Sequence, residues 1–304
     1  MQKFMELPKL KMGCALFNEF LLNKSVNIYL HLKTQHNIYG ICCNHLVPIA
    51  INPLITPFSL AIDSSSLLKA ISGCNSLNII KENDDLIIKC DKIDYNLIAL
   101  PIHEIEVINH ECAQHELINM HEMGMYIEGN FSTLISIMNI IGIFLTLLDH
   151  GEILVLRKLI HELNYDIIVN DNKLARYILS NSGLGSGSTP SSDDFIIGLL
   201  VSRLKRMNTE LAEVVDKINT TLLSKKLITE VLLDPCYIIN LCRILMLIIN
   251  GGNLDEIIND IVSFIRVGGF SGIFMLTGLV TGIAINDKEL LSIWKIILNK
   301  YLGI

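Results

Sequence analysis

The hydrophobic pattern of this chain changes period at about residue 115, and this change limits the fold more than any other feature. Before it, runs such as residues 26–32 alternate apolar and polar positions, which is typical of β-strands. After it, apolar residues recur at intervals of three and four, as in residues 134–148, which is typical of helices. The pattern predicts an α+β fold, with a β-rich domain over residues 1–114 and an α-helical bundle domain over residues 115–304.

The same patterns place the individual elements. The first domain is predicted to contain a capped helix over residues 63–71, prolines such as Pro48 between the strands, and strands over residues 26–32, 38–43, 59–62, 77–81, 86–90 and 95–100. In the second domain we expect Gly151 to end the first of a series of helices. The predicted helices cover residues 134–148, 153–163, 172–179, 191–207, 211–223, 226–233, 237–249, 254–265, 272–285 and 287–301.

Two uncharged segments, residues 131–148 and 267–286, reach the length of about 18 residues at which a membrane span must be considered. Polar residues and glycines interrupt both segments, and no cluster of Lys or Arg flanks either one. We therefore expect buried core helices and no membrane partner, with a membrane span as the alternative. Gly278 and Gly282 predict close packing against another helix rather than dimerisation in a membrane. Trp294 is predicted to anchor the last helix.

The composition excludes other classes of function. The 304 residues carry a net charge of −7 without a basic stripe, so no nucleic-acid partner is expected. The eight cysteines form no CxxC pair, which predicts reduced thiols and a cytoplasmic protein. Four histidines lie among glutamates, but the i,i+5 spacing of His110 and His115 does not fit a zinc-binding helix. A solvated segment between domains is the expected structure around His103, His110, His115 and His121, and a metal site is the alternative.

The most informative motif is the Gly/Ser-rich segment at residues 180–195, SNSGLGSGSTPSSDDF. Gly183, Gly185 and Gly187 permit positive φ and a close approach of the backbone to a ligand. The sequence Thr189-Pro190 suits the start of a helix. The motif therefore predicts a helix N-terminus whose free N–H groups and neighbouring hydroxyls bind an anion or a carbonyl oxygen. The motif lacks the Gly-Lys-Ser/Thr ending of a Walker loop and does not match GxGxxG.

Two acidic residues, Asp193 and Asp194, limit which ligand this loop can hold. They favour the start of the helix but would repel a bare phosphate, and no Lys or Arg lies between Arg176 and Arg203. An anionic ligand would therefore need a divalent cation held by the two aspartates, or a basic residue from another element or subunit. Alternatively, the aspartates accept hydrogen bonds from an amide NH₂ while the loop N–H groups hold the oxygen, which suits a carbamoyl or oxamate-like group. A purely structural turn is the remaining alternative.

Residues 183–200, GLGSGSTPSSDDFIIGLL, resemble a family signature with the pattern GLGPGLTPSGDDFLxGLL. Members of that family are assigned as one of three subunits of oxamate carbamoyltransferase. This enzyme interconverts oxalurate plus phosphate with oxamate plus carbamoyl phosphate in anaerobic allantoin breakdown. The resemblance implies a carbamoyltransferase subunit that assembles with other subunits and binds a small carbamoyl- or carboxylate-bearing ligand.

The resemblance also implies the site residues. Asp193 and Asp194 would act in catalysis. A second, weaker Gly/Ser motif adds two residues to the ligand site, so that the predicted ligand-binding set is Gly183, Gly185, Gly187, Ser188, Thr189, Ser191, Ser192, Ser271 and Gly272. No metal ligand is predicted apart from the two aspartates.

The chain departs from the family pattern at several positions. Ser186 and Ser192 replace a proline and a glycine of the signature. The second family motif is close to Gly-His-Ser-Ser-Gly-x-Asp, whereas this chain has Gly269 at the histidine position and Phe274 at the aspartate position. These losses leave a second hypothesis open, in which the chain is a non-catalytic structural or regulatory subunit of a multi-chain complex.

Overall fold

The computed structural model describes residues 10–33, 37–51, 55–56, 58–92, 96–108, 130–203, 214–266 and 268–303. The chain divides into two compact units, residues 1–111 and residues 112–304. The first unit contains a nine-stranded sheet and the second is helical, which confirms the predicted α+β class. Within the described ranges, no helix is both long enough and apolar enough to cross a membrane.

The sheet of the first unit is mostly antiparallel. Its strands are β1 (Leu10–Gly13), β2 (Ser25–Lys33), β3 (Asn37–Cys42), β4 (His45–Ala50), β5 (Leu60–Ile62), β6 (Ser76–Glu82), β7 (Asp85–Cys90), β8 (Asn96–Pro101) and β9 (Glu106–Ile108). They follow the order β8-β7-β6-β2-β3-β4-β5-β1-β9, and only the pairs β4–β5 and β1–β9 are parallel. Alternate residues of β2, such as Val26 and Ile28, are buried, as the period of two requires.

Two helices, α1 (Cys14–Asn23) and α2 (Ser65–Ser72), complete the core of this unit. Phe20 of α1 and Ile71 of α2 are fully buried in the same apolar cluster as the inward-facing strand residues. Ser64 caps α2 by accepting a hydrogen bond from the Leu67 N–H, as the predicted capped helix requires. The apolar sheet face and the two helices thus form one core.

Several elements of the first unit were not expected from the sequence. The strands β1, β4 and β9 and the helix α1 lie outside the predicted set, and Pro48 lies within β4 rather than between strands. Only Ile49 and Ala50 of β4 pair with β5, so the absent N–H of Pro48 is not needed by that parallel ladder. Short strands such as β9 carry too few residues to show an alternating pattern.

Two disulfides join Cys74 to Cys90 and Cys236 to Cys242, so the prediction of reduced thiols is wrong for these four residues. The β6–β7 hairpin explains the first pair, because it brings residues 16 positions apart to a Cα–Cα distance of 5.6 Å. In the second pair the residues are six positions apart and their Cα atoms lie 5.1 Å apart. Cysteine spacing alone cannot predict such contacts, because they depend on how the chain folds back on itself.

The second unit is a set of helices with short connections. They are α3 (Phe131–Leu145), α4 (His150–Glu162), α5 (Tyr165–Val169), α6 (Asp171–Asn181), α7 (Ser191–Ser202), α8 (Leu222–Leu233), α9 (Ile239–Ile249), α10 (Leu254–Ile265), α11 (Ser271–Ala284) and α12 (Lys288–Leu302). Polar side chains accept a hydrogen bond from the first-turn backbone of six of these helices; the capping residues are Asp149, Asn164, Asn170, Thr221, Asn253 and Asp287.

Two sequence-based boundaries in this unit are wrong. Gly151 does not end a helix but is the second residue of α4, because Asp149 caps the new helix directly before it. The predicted helix over residues 211–223 is interrupted, since residues 216–221 are not helical and Thr221 caps α8. In both places a capping side chain starts a helix at a position that the apolar spacing does not mark as a start.

The helices α7 and α11 form the centre of the unit through contact between their backbones. A Cβ added at Gly198 would lie 1.8 Å from the Met275 carbonyl oxygen, and one at Gly278 would lie 2.0 Å from the Phe195 carbonyl oxygen. Gly282 is packed equally closely against Ser202. These contacts confirm the close packing predicted for Gly278 and Gly282.

The direction of the same contacts fixes the orientation of the pair. Gly198 faces Met275, and Ser202 faces Gly282 one to two turns later in both helices. The helices are therefore parallel, and their N-termini lie at the same end. All residues of α7 and residues 272–284 of α11 are buried, as expected for central core helices. At the far end, the buried Trp294 of α12 donates from Nε1 to Thr281 Oγ1 at 2.9 Å, which supports the anchoring role predicted for it.

The substitution Gly198→Ala tests the backbone contact. We expect it to lower the free energy of unfolding by about 1–3 kcal/mol or more, because the new methyl group meets the α11 backbone at Met275 and Leu279. Chemical denaturation of the purified protein measures this change. As a control, Gly151→Ala places a methyl group at an exposed helical position near only the Asp149 side chain, and should be neutral or stabilise by up to about 1 kcal/mol. A loss below about 1 kcal/mol for Gly198→Ala would contradict the contact.

Candidate functional site

The Gly/Ser-rich loop, residues 182–190, connects α6 to the N-terminus of α7. Gly183, Gly185 and Gly187 have φ values of 80°, 104° and 97°, in the left-handed region that favours glycine. A Cβ at Gly183 would lie 2.2 Å from the Asn219 carbonyl oxygen, and one at Gly185 would lie 2.9 Å from Ser191. The loop thus depends on glycine both for its backbone angles and for its close packing.

The first part of the loop is closed onto α7 by internal hydrogen bonds. The Gly183 N–H donates to Asp193 Oδ1 at 2.9 Å, and the Leu184 N–H donates to Ser192 Oγ at 2.8 Å. In return, the Ser192 N–H donates to the Leu184 carbonyl at 3.0 Å. The amide of Gly183 and the hydroxyl of Ser192, both assigned to ligand binding from the sequence, are therefore used to hold the loop itself.

The second part of the loop keeps its donors available. Among the described residues, no partner accepts from the N–H groups of Gly185, Gly187, Ser188 or Thr189. Residues 185–187 are exposed, and Ser188 and Thr189 are half-buried, while Ser191 is buried beneath Gly185. The Ser188 carbonyl is fixed by the Thr221 hydroxyl at 2.7 Å. These four amides are the donors that a bound oxygen could reach.

Asp193 is fully buried, and it links the Gly/Ser-rich loop to the segment that precedes α8. Its carboxylate accepts from the Gly183 N–H and from the Thr220 hydroxyl. Burial raises the pKa of Asp193, and the hydrogen bonds from Thr220, Gly183, Ser224 and Ser182 oppose that rise. Thr220 was not predicted from the sequence, because it lies 27 positions away from Asp193 and becomes its neighbour only in the folded chain.

Asp194 is equally buried but is only partly satisfied. Its Oδ2 accepts from Thr189 Oγ1 at 3.2 Å, and Thr189 Oγ1 lies 3.1 Å from Ser271 Oγ. Its Oδ1 is buried and has no hydrogen-bond partner among the described residues. Burial raises the pKa of Asp194 well above its ordinary value; the Ser271 and Thr189 hydroxyls oppose this, and the charges of Asp193 and Glu152 add to it.

The parallel helices α7 and α11 bring the two predicted motifs together. Both N-termini lie at this end, so that Ser271, the first residue of α11, meets Thr189 across 82 positions of sequence. Gly272 has a packing role, since a Cβ there would lie 2.3 Å from the Phe264 carbonyl oxygen. Two positions of this chain depart from the second family motif. Gly269, at the histidine position, is exposed, and Phe274, at the aspartate position, is fully buried.

Glu152, in the first turn of α4, is a site residue that sequence reasoning missed. It is buried, and its Oε1 accepts from the Ser186 hydroxyl at 2.8 Å and from the Ser186 N–H at 3.4 Å. Its Oε2 has no partner among the described residues. No sequence pattern indicated this residue, since an acidic residue three positions after Asp149 is usual at an exposed helix start.

Among the described residues, the two aspartates do not belong to a group of three or more His, Cys, Asp or Glu side chains with closely spaced ligand atoms. In the described part of the chain, one group of three His, Cys, Asp or Glu side chains has ligand atoms within 4.8 Å of one another, and it consists of Cys74, Cys90 and Asp91. Its two thiols are joined as a disulfide. Of the histidine cluster, only His103 lies within the described residues; His110, His115 and His121 lie outside them.

The part of the chain that carries this site is similar to a known protein family. Residues 182–283, about a third of the chain, match the model of the family described as oxamate carbamoyltransferase subunit AllH. The match begins at the Gly/Ser-rich loop and ends within α11, so it contains both motifs. It confirms the resemblance predicted from residues 183–200 and supports membership of this family. No curated protein and no solved structure gives a significant match to the chain.

The raised pKa of Asp194 predicts how stability depends on pH. Because the folded pKa lies above the unfolded value of about 4, the folded state binds the proton more tightly. This contribution to stability is present below about pH 4 and is lost as the pH rises through the folded pKa. Asp194→Asn keeps the group neutral, so the variant should become progressively more stable than the wild type as the pH rises from about 4 through the folded pKa.

Denaturation curves of the two proteins at several pH values measure this difference. Asp255→Asn, an exposed acid in the first turn of α10, is the control and should follow the wild type throughout. A stability difference between Asp194→Asn and the wild type that does not change with pH would contradict a raised pKa.

Proposed function

We propose that this chain, whose residues 182–283 match the oxamate carbamoyltransferase subunit AllH, is a carbamoyltransferase subunit that binds its ligand at residues 183–194. The observation that carries the proposal is that unpartnered amides at the loop and an unpartnered buried carboxylate oxygen, that of Asp194, occur in one site. A carbamoyl group needs this combination, because its oxygen accepts hydrogen bonds and its nitrogen donates them.

The oxygen of the carbamoyl group would be held by the loop. Attack on the carbamoyl carbon turns this oxygen into an oxyanion, and N–H donors already in position stabilise it without reorganisation. The amides of Gly185, Gly187, Ser188 and Thr189 are the donors that we assign to this role. The two parallel helix N-termini beside them add a positive partial charge at the same end.

The nitrogen of the carbamoyl group would be held by Asp194. Its Oδ1 can accept one N–H, while its Oδ2 stays bound to the Thr189 hydroxyl. Thr189 and Ser271 thereby orient the Asp194 carboxylate. Asp193 holds the loop in position by accepting the hydrogen bond from the Gly183 N–H. Thus we assign Asp194 to ligand binding and Asp193 to positioning, where the sequence alone gave both the same role.

The phosphate or second carboxylate of the substrates would need a positive charge from elsewhere. The chain has no Lys or Arg between Arg176 and Arg203, and the buried Arg203 is bound to Asp171 at 2.7 Å. We therefore propose that other subunits of a cytoplasmic complex supply this charge. In that complex the reaction would interconvert oxalurate plus phosphate with oxamate plus carbamoyl phosphate in anaerobic allantoin breakdown.

A non-catalytic structural or regulatory subunit is the second candidate. It is favoured by Gly269 and Phe274, which replace the histidine and aspartate of the family pattern, and by the internal bonding of Gly183, Ser192 and Asp193. In this case the loop would serve only to join α6 and α7, and its acids would contribute to stability rather than to binding.

Asp194→Asn separates the two candidates. If the site binds a carbamoyl group, the variant should bind carbamoyl phosphate and oxamate at least about tenfold more weakly, because the amide presents N–H groups where an acceptor is needed. Isothermal titration of the complex, reassembled from this chain and its partner subunits, with each compound measures the affinities, and Asp255→Asn serves as the control.

The stability of the same variant completes the test. Weaker binding together with unchanged or higher stability at neutral pH is the signature of a binding residue that is unfavourable for the fold. Unchanged binding, and unchanged turnover in a complex reassembled with the variant, would contradict the enzyme hypothesis and favour the structural subunit.

A further inference from the structure

The buried carboxylate of Glu152 has no role that its helix can explain. In the first turn of α4 an acid interacts favourably with the helix dipole, but an exposed side chain would do this equally well. Only 3% of Glu152 is exposed, and its hydrogen-bond donors among the described residues both belong to Ser186 of the loop. Since a buried carboxylate without a cation is costly, a function in the loop is the better explanation.

Glu152 and Asp194 each have one carboxylate oxygen that is hydrogen-bonded and one that has no hydrogen-bond partner among the described residues. Each carboxylate uses one oxygen to hold a loop hydroxyl, that of Ser186 for Glu152 and that of Thr189 for Asp194. The other oxygens, Glu152 Oε2 and Asp194 Oδ1, are buried and accept no hydrogen bond from the described residues. Both carboxylates lie against the same loop, at hydroxyls three positions apart, and the charge of Glu152 raises the pKa of Asp194. Neighbouring buried acceptors of this kind are unfavourable until donors reach them.

We infer that Glu152 is a further ligand-binding residue, and that Glu152 Oε2 and Asp194 Oδ1 together accept the two N–H groups of a carbamoyl or primary amide nitrogen. This inference rests on the proposed function and names the chemical group that the site selects. A planar NH₂ is the complement of two acceptors that approach from two helices, because it carries two donors in fixed directions. The loop amides then face the oxygen of the same group.

The arrangement selects against close analogues that lack the NH₂ group. Acetyl phosphate carries a methyl group where carbamoyl phosphate carries NH₂, and oxalate carries an oxygen where oxamate carries NH₂. Either analogue would leave both buried acceptors without donors, and oxalate would add a like charge beside them. Sites built to hydrogen-bond a donor reject ligands that lack it much more strongly than apolar pockets reject a change of size.

The experiment compares the affinities of the complex, reassembled from this chain and its partner subunits, for carbamoyl phosphate and acetyl phosphate by isothermal titration. The wild type should prefer carbamoyl phosphate. In Glu152→Gln this preference should fall at least about tenfold, because the amide places its own N–H groups against the ligand nitrogen, while affinity for acetyl phosphate changes little. Glu289→Gln is the matched control: Glu289 is exposed in the first turn of α12, which Asp287 caps as Asp149 caps α4, and the preference should be that of the wild type.

The outcomes separate this inference from the proposed function. A folded Glu152→Gln variant that keeps the wild-type preference overturns the role of Glu152 and leaves the proposed function standing. A wild-type complex, reassembled with its partner subunits, that binds neither carbamoyl phosphate nor oxamate overturns both. If circular dichroism shows that Glu152→Gln does not fold, Ser186→Ala replaces it, since this exposed change removes the hydroxyl that orients Oε1. The preference must then fall several-fold, and an unchanged preference overturns the inference.

Discussion

The direct contact between the backbones of α7 and α11 is the constraint on which the helical unit depends. Glycines at positions 198, 278 and 282 remove the side chains that would otherwise hold the two helices apart. The pair can then be buried on all sides, and its parallel orientation places two helix N-termini side by side. The Gly/Ser-rich loop, Thr189 and Ser271 have their relative positions because the helix pair fixes them.

The site at this end contains more buried acidity than a stable core would need. Glu152, Asp193 and Asp194 are almost fully buried, and their described hydrogen-bond donors are hydroxyls and backbone amides rather than cations. Burial is the main cause of the raised pKa values of both aspartates. Buried acids of this kind lower the stability of the fold, and such residues are typical of ligand-binding or active sites.

Much of the architecture and part of the site could be predicted from the sequence, for reasons that are local. Three signals act over only a few residues: the hydrophobic periods of two and of three to four, the loop glycines, and the Thr-Pro sequence at the helix start. They were enough to predict the α+β class, the loop and the helix that follows it. Glu152 and Thr220 were not predicted, because only tertiary folding brings them to the loop, from 34 and 27 positions away. The Cys74–Cys90 disulfide was missed because its contact forms only in the folded β6–β7 hairpin, and the strand β4 was missed because Pro48 indicates a break between strands rather than a position within one.

Because α7 and α11 are parallel, the groups available for ligand binding lie at one end of the helix pair and the contacts that hold the fold lie at the other. Hydroxyls, carboxylates and open amides gather where the helices begin, whereas the ends of the same helices carry the Arg203–Asp171 ion pair and the Trp294–Thr281 hydrogen bond. Mutations at the C-terminal ends of the two helices would therefore act on the stability of the fold alone, whereas mutations at the N-terminal ends would act on ligand binding and, through the buried acids, on how stability depends on pH. With this arrangement, residues that face a ligand at the N-terminal ends can be substituted while the contacts at the C-terminal ends stay intact.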